Sequence, residues 1–156
     1  MLRVDELLVS APRDICFEVG ADVERWPKIL PHYRWVRFRE KEGFATGIVE
    51  MAAWRSFGIV DYPTWWISKM WHEPDVPVVH YKHIAGITRH MDVRWEFETR
   101  GEGTLIRVVH EWRGPRWPLI GGWVANRIIG PGFISSIAQR TIAGVAAEAQ
   151  RLTRHG

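Results

Sequence analysis

The chain has 156 residues, 46% of them hydrophobic and 25% charged, a balance that is typical of a globular protein with one domain, here spanning residues 1–156. The net charge of +3 is modest, and no recognised motif accompanies the basic run at 34–41, so the sequence predicts no nucleic-acid partner. The single cysteine, Cys16, excludes an internal disulfide and a cysteine-based zinc site.

The order of the predicted elements indicates the fold class. Residues 3–9 predict a first strand, and residues 11–19, capped by Ser10, and 23–30 predict two short helices. Six more strand-like runs fill residues 33–112, and residues 132–154 have the period of a long helix with one apolar stripe. That stripe can be buried only against a sheet. We therefore expect an α+β protein in which a curved, seven-stranded antiparallel sheet wraps around a long C-terminal helix, with two short helices after strand 1.

Charged residues set which side of each strand faces inward. The clearest strand is 91–98, where Met91, Val93, Trp95 and Phe97 alternate with four charged residues, as in an antiparallel sheet with one wet face. In the other strands, Glu50, Lys69, Lys82 and Arg107 are expected to face water. This phase places the following residues inside: Val49, Met51, Ala53, Trp66, Ser68, Met70, His72, Tyr81, His83, His110 and Trp112.

The hairpins predicted from the glycines and prolines bring inward residues into rows. One row contains Met70, Tyr81, Val93 and His110, and the next contains Ser68, His83, Met91 and Trp112. His83 and His110 are then on the order of 11–12 Å apart, which is too far for one metal ion. His80 points to the opposite face of its strand from His83. The sequence therefore predicts no metal site and no cofactor.

Two interpretations of these inward residues stay open. A neutral imidazole near a phenol suits a base and acid pair for enolisation or dehydration, and Tyr81 with His110 fits that description. The alternative is a buried histidine that bonds a neighbouring group or orients a ligand. Likewise Trp66, Trp95 and Trp112 either fill the core or form flat walls for a ring system. Arg55 and Arg89, at strand ends, are candidates for the mouth of such a pocket.

The membrane and the cellular location are also addressed by the sequence. Residues 118–138 are largely apolar and approach the roughly 20 residues of a spanning helix. Asn126 and Arg127 at the centre, followed by Pro131, favour a buried and kinked helix instead. The amino terminus has no apolar run of signal-peptide length, which predicts a cytoplasmic location.

Two segments carry a family resemblance. The run VSAPRDICFEVGADVERWPKILPHYRWV and the tail GPGFISSIAQRTIAGVAAEAQRL resemble the START/Bet v 1-like (SRPBCC) superfamily, and most of all its polyketide cyclase/dehydrase branch. The resemblance covers nearly the whole chain and implies the helix-grip fold. This superfamily includes aromatase/cyclases, lipid and sterol carriers, quinone-binding proteins and hormone receptors. Fold alone therefore does not decide function.

The resemblance also implies roles for two positions. Similar cyclases are thought to use a pocket tyrosine and a pocket arginine, and Tyr33 matches the tyrosine by its place after the Trp-Pro run. The arginine position falls on Met70. A thioether can neither anchor a ketone oxygen nor carry a proton at neutral pH. This departure favours a binding role over cyclase chemistry.

We therefore expect a polyketide cyclase/dehydrase-like protein that binds a hydrophobic, ring-containing small molecule between the sheet and the C-terminal helix. One alternative is an active aromatase/cyclase or dehydratase that acts through Tyr33, Tyr81 and His110. Another is a lipid or quinone carrier that makes transient contact with a membrane near residues 117–129, where Trp117 and Trp123 lie. The predicted ligand-binding residues are Tyr33, Trp66, Ser68, Met70, Tyr81, His83, Met91, Trp95, His110, Trp112, Phe133 and Ile137.

Overall fold

A computed structural model of the chain describes residues 1–57, 59–73, 75–114 and 131–156. Seven antiparallel strands form one curved sheet in the spatial order β1-β7-β6-β5-β4-β3-β2. The strands are β1 Leu2–Val9, β2 Tyr33–Gly43, β3 Thr46–Phe57, β4 Val60–His72, β5 Val78–Gly86, β6 Asp92–Arg100 and β7 Gly103–Glu111. The helices are α1 Arg13–Ala21, α2 Trp26–Ile29 and α3 Pro131–His155, with a 3₁₀ turn at Val23–Arg25 between α1 and α2. The predicted helix-grip fold is confirmed.

The register of the central strands follows the predicted rows. Met70 pairs with Tyr81, Tyr81 with Val93, and Val93 with His110. Across β1 and β7 the same row continues to Arg3, which pairs with His110. Alternation of charged and apolar residues was enough to fix this register, because a slip of one residue would turn every apolar side chain toward water.

Helix α3 covers the concave face of the sheet. Its buried side includes Ile134, Ala138, Ile142 and Val145, whereas Arg140 and Arg151 on its other side are exposed. The helix also lies very close to the end of α2, since a Cβ at Gly144 would collide with the Leu30 side chain. The apolar stripe of α3 therefore closes the open side of the sheet, as the sequence predicts.

The outer face of the sheet differs from the prediction at Glu50. This residue is only 3% exposed, because two arginines and a tryptophan cover it. Its carboxylate accepts hydrogen bonds from Arg37 Nε (2.9 Å), Arg39 Nε (2.8 Å) and Trp65 Nε1 (2.8 Å). An outward carboxylate was expected to face water, and it is instead the buried centre of a charged cluster.

The basic run of β2 also differs from a simple alternating strand. Arg37, Arg39 and Lys41 would share one face of a regular strand, but the register between β2 and β3 shifts between Phe38 and Glu40. Lys41 then pairs with Gly47, which in turn pairs with the inward Met70. Lys41 consequently bonds Glu24 of the 3₁₀ turn and does not share the face of Arg37.

The Glu50 cluster should support the fold in a pH-dependent way. Hydrogen bonds from Arg39 and then Arg37 lower the pKa of the Glu50 carboxyl from 4.5 to about 2. Its stabilising effect is therefore complete above pH 4.5 and disappears as the pH falls toward 2. We expect Glu50→Gln to lower the free energy of unfolding at neutral pH by roughly 1–3 kcal/mol, since charge-assisted hydrogen bonds are lost.

Urea unfolding of the wild type and the variant at several pH values provides the measurement. Glu98→Gln is the matched control, because Glu98 is exposed on β6 and bonds Arg100 only among the described residues. The control should change stability by less than about 0.5 kcal/mol. Equal effects of the two substitutions would show that the Glu50 cluster has no special role.

Candidate functional site

A cavity lies between the concave face of the sheet and α3. The space open to the centre of a water-sized sphere is about 80 Å³, and the whole space between the walls, including the open end, is about 670 Å³. A buried water needs roughly 10–15 Å³ by the first measure, so this is more than a packing defect. The described residues that line the cavity are Trp26, Tyr33, Met51, Thr64, Trp66, Tyr81, His83, Ile87, Thr88, Met91, Val93, Trp95, Val108, His110, Ile134, Ile137, Ala138 and Thr141.

Most of the side chains predicted to bind ligand do line this cavity. They come from β2, β4, β5, β6, β7 and α3, and thus from both layers of the fold. The predicted residues on its walls are Tyr33, Trp66, Tyr81, His83, Met91, Trp95, His110 and Ile137. Their meeting follows from strand register, which places them on one face of the sheet. The side chain of Phe133 lies outside the described part of the chain, as do Trp117 and Trp123.

Ser68 and Met70 are buried but do not line the cavity. They lie toward the end of β4 where Phe17 of α1 packs on His72 and Phe97. That half of the concave face is filled by α1, and the cavity occupies the other half. The position that the resemblance assigned to a pocket arginine, Met70, is therefore not on the cavity wall.

Trp112 is also buried without lining the cavity. Its indole Nε1 donates a hydrogen bond to the carbonyl of Arg89 (3.1 Å), and its backbone N–H donates to the carbonyl of Met1 (2.9 Å). These bonds fasten the β5–β6 turn and the start of β1 to the end of β7. The inward phase predicted for Trp112 is correct, but its visible contacts are structural.

Several wall residues were not among the predicted binding residues. Met51 and Thr64 belong to inward positions of β3 and β4, and Ile134, Ala138 and Thr141 follow the helical period from Ile137. Those periods could have identified them. Ile87 and Thr88 lie in the β5–β6 turn, where no period applies, and Trp26 comes from α2. Ile87 is 38% exposed as well as lining the cavity, so it marks the mouth.

Two polar atoms of the cavity residues are buried without a hydrogen-bond partner among the described residues. They are the phenol oxygen of Tyr81 and Nδ1 of His110. Burying a polar group in this way typically costs about 1–3 kcal/mol. Such a cost is usually avoided in cores, so each unpartnered group in a native protein points to a specific use.

Both cavity histidines are neutral at physiological pH. Burial lowers the pKa of His83 to about 3, with His110 adding to the effect. Burial likewise lowers the pKa of His110 to about 4. His83 Nδ1 lies 2.6 Å from the Thr88 hydroxyl, and its ring stacks on Trp66 with 3° between the planes. His83 is therefore fixed in place, whereas Nδ1 of His110 has no hydrogen-bond partner in the described part of the chain.

The two cavity tyrosines are likewise uncharged. Burial raises the pKa of Tyr33 well above its ordinary value. A hydrogen bond with Thr141 lowers this pKa, but by less than burial raises it. Burial also raises the pKa of Tyr81, and the nearby Tyr33 adds to the effect. The Tyr33 ring packs edge-on against Trp26 and Trp66. The cavity thus offers neutral hydrogen-bonding groups on apolar walls.

A charged network that the sequence did not indicate lies beside His110. Arg3 of β1 bonds both carboxylate oxygens of Asp5 (3.0 and 3.1 Å) and the Ser135 hydroxyl of α3 (2.6 Å). Gln139 of α3 also donates to Asp5 (3.3 Å). These bonds fix β1 to α3. Asp5 raises and Arg3 lowers the pKa of His110, and both effects are smaller than the effect of burial.

Two other kinds of site are absent from the described residues. No group of three or more His, Cys, Asp or Glu side chains there is placed to hold a metal ion. Within the same residues, no helix has both the length and the apolar character needed to cross a membrane.

Comparison with known proteins identifies related sequences and similar folds. A protein of Streptomyces halstedii that is provisionally named a polyketide cyclase is 26% identical over 110 residues, covering 66% of this chain and 93% of that protein. The Zhui aromatase/cyclase of Streptomyces sp. R1128 has a TM-score of 0.75 at 22% identity, with 97% and 95% of the two chains covered. A START superfamily protein of Mycobacterium smegmatis has a TM-score of 0.73 at 13% identity, with 97% and 99% covered.

The structural similarities establish the START/Bet v 1-like fold. A family model described as polyketide cyclase / dehydrase and lipid transport matches residues 9–128, which include six of the seven strands in full. The match covers more than half of the 156 residues. The chain belongs to the polyketide cyclase/dehydrase and lipid transport family.

Proposed function

We propose that this protein binds a hydrophobic, ring-containing small molecule in the cavity between the sheet and α3. One observation carries the proposal: Tyr81 and His110 present polar atoms that have no partner among the described residues, within a cavity whose other walls are mostly aromatic or aliphatic. Binding pockets for small molecules have this composition, with a few placed polar groups that fix orientation. A ligand that supplies the missing hydrogen bonds removes the cost of leaving those atoms unpartnered.

The placement of the two polar groups indicates the class of ligand. Tyr81 and His110 lie in one row with one strand between them, so their Cα atoms are roughly 10 Å apart. A phenol can donate a hydrogen bond to a carbonyl, and a neutral imidazole can bond a hydroxyl or a carbonyl. The aromatic side chains on the cavity walls favour a flat ring system. We expect a polyketide-like aromatic ligand that carries oxygen groups on opposite sides of its rings.

An aromatase/cyclase or dehydratase is the second candidate. The named relatives support it, and Tyr33, Tyr81 and His110 all line the same cavity. The protonation states argue against it, because an imidazole with a pKa of about 4 is a weak base and a phenol with a raised pKa is a weak acid. The binding role therefore ranks first.

A lipid or quinone carrier is the third candidate. The family description includes lipid transport, and the apolar cavity suits such a cargo. The segment where the sequence placed a membrane-facing opening, near Trp117 and Trp123, lies outside the described residues. Support for this candidate therefore has to come from other parts of the chain.

Substitutions at the unpartnered atoms should separate binding from catalysis. Tyr81→Phe and His110→Gln should each weaken binding of 1,8-dihydroxyanthraquinone, used as a probe, by roughly five- to tenfold, because each alters one hydrogen bond. Titration calorimetry provides the measurement. His155→Gln, at the exposed end of α3, is the control and should bind like the wild type. Unchanged affinity in both cavity variants would contradict the proposed site.

The same variants also test the second candidate. An enzyme should lose turnover of a linear poly-β-keto thioester while its affinity for the probe stays within about twofold, because base and acid act in the transition state. A binding protein should show no turnover that depends on Tyr81 or His110. Loss of turnover in Tyr81→Phe without loss of affinity would favour the cyclase.

The neutral state of the cavity histidines makes a separate prediction. In an unfolded chain the pKa of a histidine is about 6.5. In the folded protein the pKa is about 4 at His110 and about 3 at His83. Above pH 6.5 both histidines are neutral in the folded and the unfolded chain, so they do not lower the stability there. As the pH drops from 6.5 toward 4, the unfolded chain takes up protons that the folded protein does not. The free energy of unfolding should therefore fall, by at most about 1.4 kcal/mol per pH unit for each histidine.

Nuclear magnetic resonance of the imidazole nitrogens should show both rings neutral from pH 5 to pH 8. His110→Gln should make the pH dependence of unfolding shallower than in the wild type. A midpoint between pH 5 and pH 8 for either ring would contradict the burial of these side chains.

A further inference from the structure

The β3–β4 hairpin projects beyond the rest of the sheet. The last pair between β2 and β3 is Tyr33 with Ala53, and the last pair between β4 and β5 is Trp66 with Gly86. Residues 54–57 pair with residues 60–63, and among the described strands neither segment pairs with any other strand. At about 3.3 Å per residue, this two-stranded part extends roughly 10 Å past its neighbours. We call residues 54–57 and 59–65 the ribbon.

The ribbon exposes apolar side chains at its outermost point. Ile59 is fully exposed, and Val60 and Tyr62 are each 60% exposed. Trp54 and Trp65 are about 40% exposed farther back. A two-stranded hairpin is marginally stable in water by itself, and exposing these side chains adds a further cost. Apolar surface concentrated at one point of a protein marks a contact site.

The ribbon stands at the same end of the molecule as the cavity mouth. The start of β4 lies next to the end of β5, so the β5–β6 turn with Ile87 is at that end. The start of β1 is there too, because Leu2 pairs with Glu111 at the end of β7, and Leu2 is strongly exposed. Exposed apolar residues therefore lie at the same end of the sheet as the mouth.

One face of β4 connects the tip of the ribbon to the cavity. Val60, Tyr62, Thr64 and Trp66 alternate on this face, since every second residue of a strand points the same way. Val60 and Tyr62 are exposed, whereas Thr64 and Trp66 line the cavity. This face forms a path from the tip of the ribbon to the cavity, and most of the side chains along the path are apolar or aromatic.

The chemistry of this end favours a lipid surface over a protein partner. Aliphatic side chains stand at the tip and aromatic side chains stand behind them, which is how proteins meet the boundary between lipid tails and headgroups. Exposed arginines lie at the same end: Arg34, whose guanidinium is 4.7 Å from the Trp54 ring centre, and Arg89 in the β5–β6 turn. Asp61, an acidic side chain of the ribbon, bonds Ser56 (2.7 Å).

We propose that the ribbon inserts its tip into a phospholipid bilayer with anionic headgroups and thereby holds the cavity mouth against the membrane. Ile59, Val60 and Tyr62 would enter the interface, with Arg34 and Arg89 near the phosphates. This contact is made by residues on the protein surface and does not require a ligand in the cavity. It goes beyond ligand binding and can be tested on protein without ligand.

Vesicle co-sedimentation tests the contact directly. The wild type should sediment with vesicles of phosphatidylcholine mixed with phosphatidylglycerol, and binding should weaken in pure phosphatidylcholine. Val60→Asp should lower the partition coefficient roughly tenfold, because a charge replaces a side chain that enters lipid. Val76→Asp is the matched control: Val76 is 46% exposed in the β4–β5 connection, at the other end of the sheet, and the variant should bind like the wild type.

A labelled variant gives an independent measurement. Cys16 is fully buried and is the only cysteine, so a cysteine introduced by Ile59→Cys can be labelled selectively with an environment-sensitive fluorophore. Its emission should shift to shorter wavelength when the mixed vesicles are added. The same fluorophore on Val76→Cys should not shift.

Three results would overturn the proposal. One is absence of wild-type binding to the mixed vesicles, and another is equal binding by Val60→Asp and Val76→Asp. The third is a concentration-dependent dimer of the wild type that Val60→Asp abolishes, which would assign the tip to a second copy of the chain. Failure here leaves the proposed ligand site intact, because that site is tested by probe affinity in solution.

Discussion

Burial of the apolar side of α3 against the concave face of the sheet is the interaction on which the rest of this structure depends. Among the described residues, the apolar side of α3 is buried against the sheet and α1, and the sheet needs such a cover for its concave face. The helix does not cover the whole concave face of the sheet. Helix α1 fills one half of the concave face, where Phe17 packs on His72 and Phe97, and α3 crosses the other half. The cavity is the space that this unequal coverage leaves.

The polar groups in that space explain why the cavity is more than a gap. Core atoms are normally partnered, yet the Tyr81 phenol and His110 Nδ1 have no visible partner in the described residues. Burial keeps both groups uncharged, as the raised pKa of Tyr81 and the lowered pKa of His110 show. Neutral donors and acceptors on aromatic walls suit recognition of a ring-containing ligand better than they suit proton transfer. The ribbon then offers a separate surface at the mouth of the same cavity.

Much of the fold and part of the site could be predicted from the sequence, because alternating charges fix which face of a strand is buried. The row of Met70, Tyr81, Val93 and His110 is an example. What periodicity could not show is which half of the concave face α1 covers, and so Met70 is buried away from the cavity. Ile87 lies in a turn without a period, and the bulge that redirects Lys41 has no clear signal in the sequence. Glu50 was misjudged because arginines from the adjacent strand cover it.

Native mass spectrometry of freshly purified protein tests the central claim most directly, if it includes two α3 variants. Ala138 lines the cavity and Ala147 is exposed on the opposite side of the helix, so Ala138→Phe fills the cavity with a protein side chain and Ala147→Phe leaves the cavity open to a ligand. The account predicts a bound small hydrophobic molecule in the wild type and in Ala147→Phe, and the bare mass in Ala138→Phe. A bare wild-type mass, or an equally abundant adduct in folded Ala138→Phe, would contradict it.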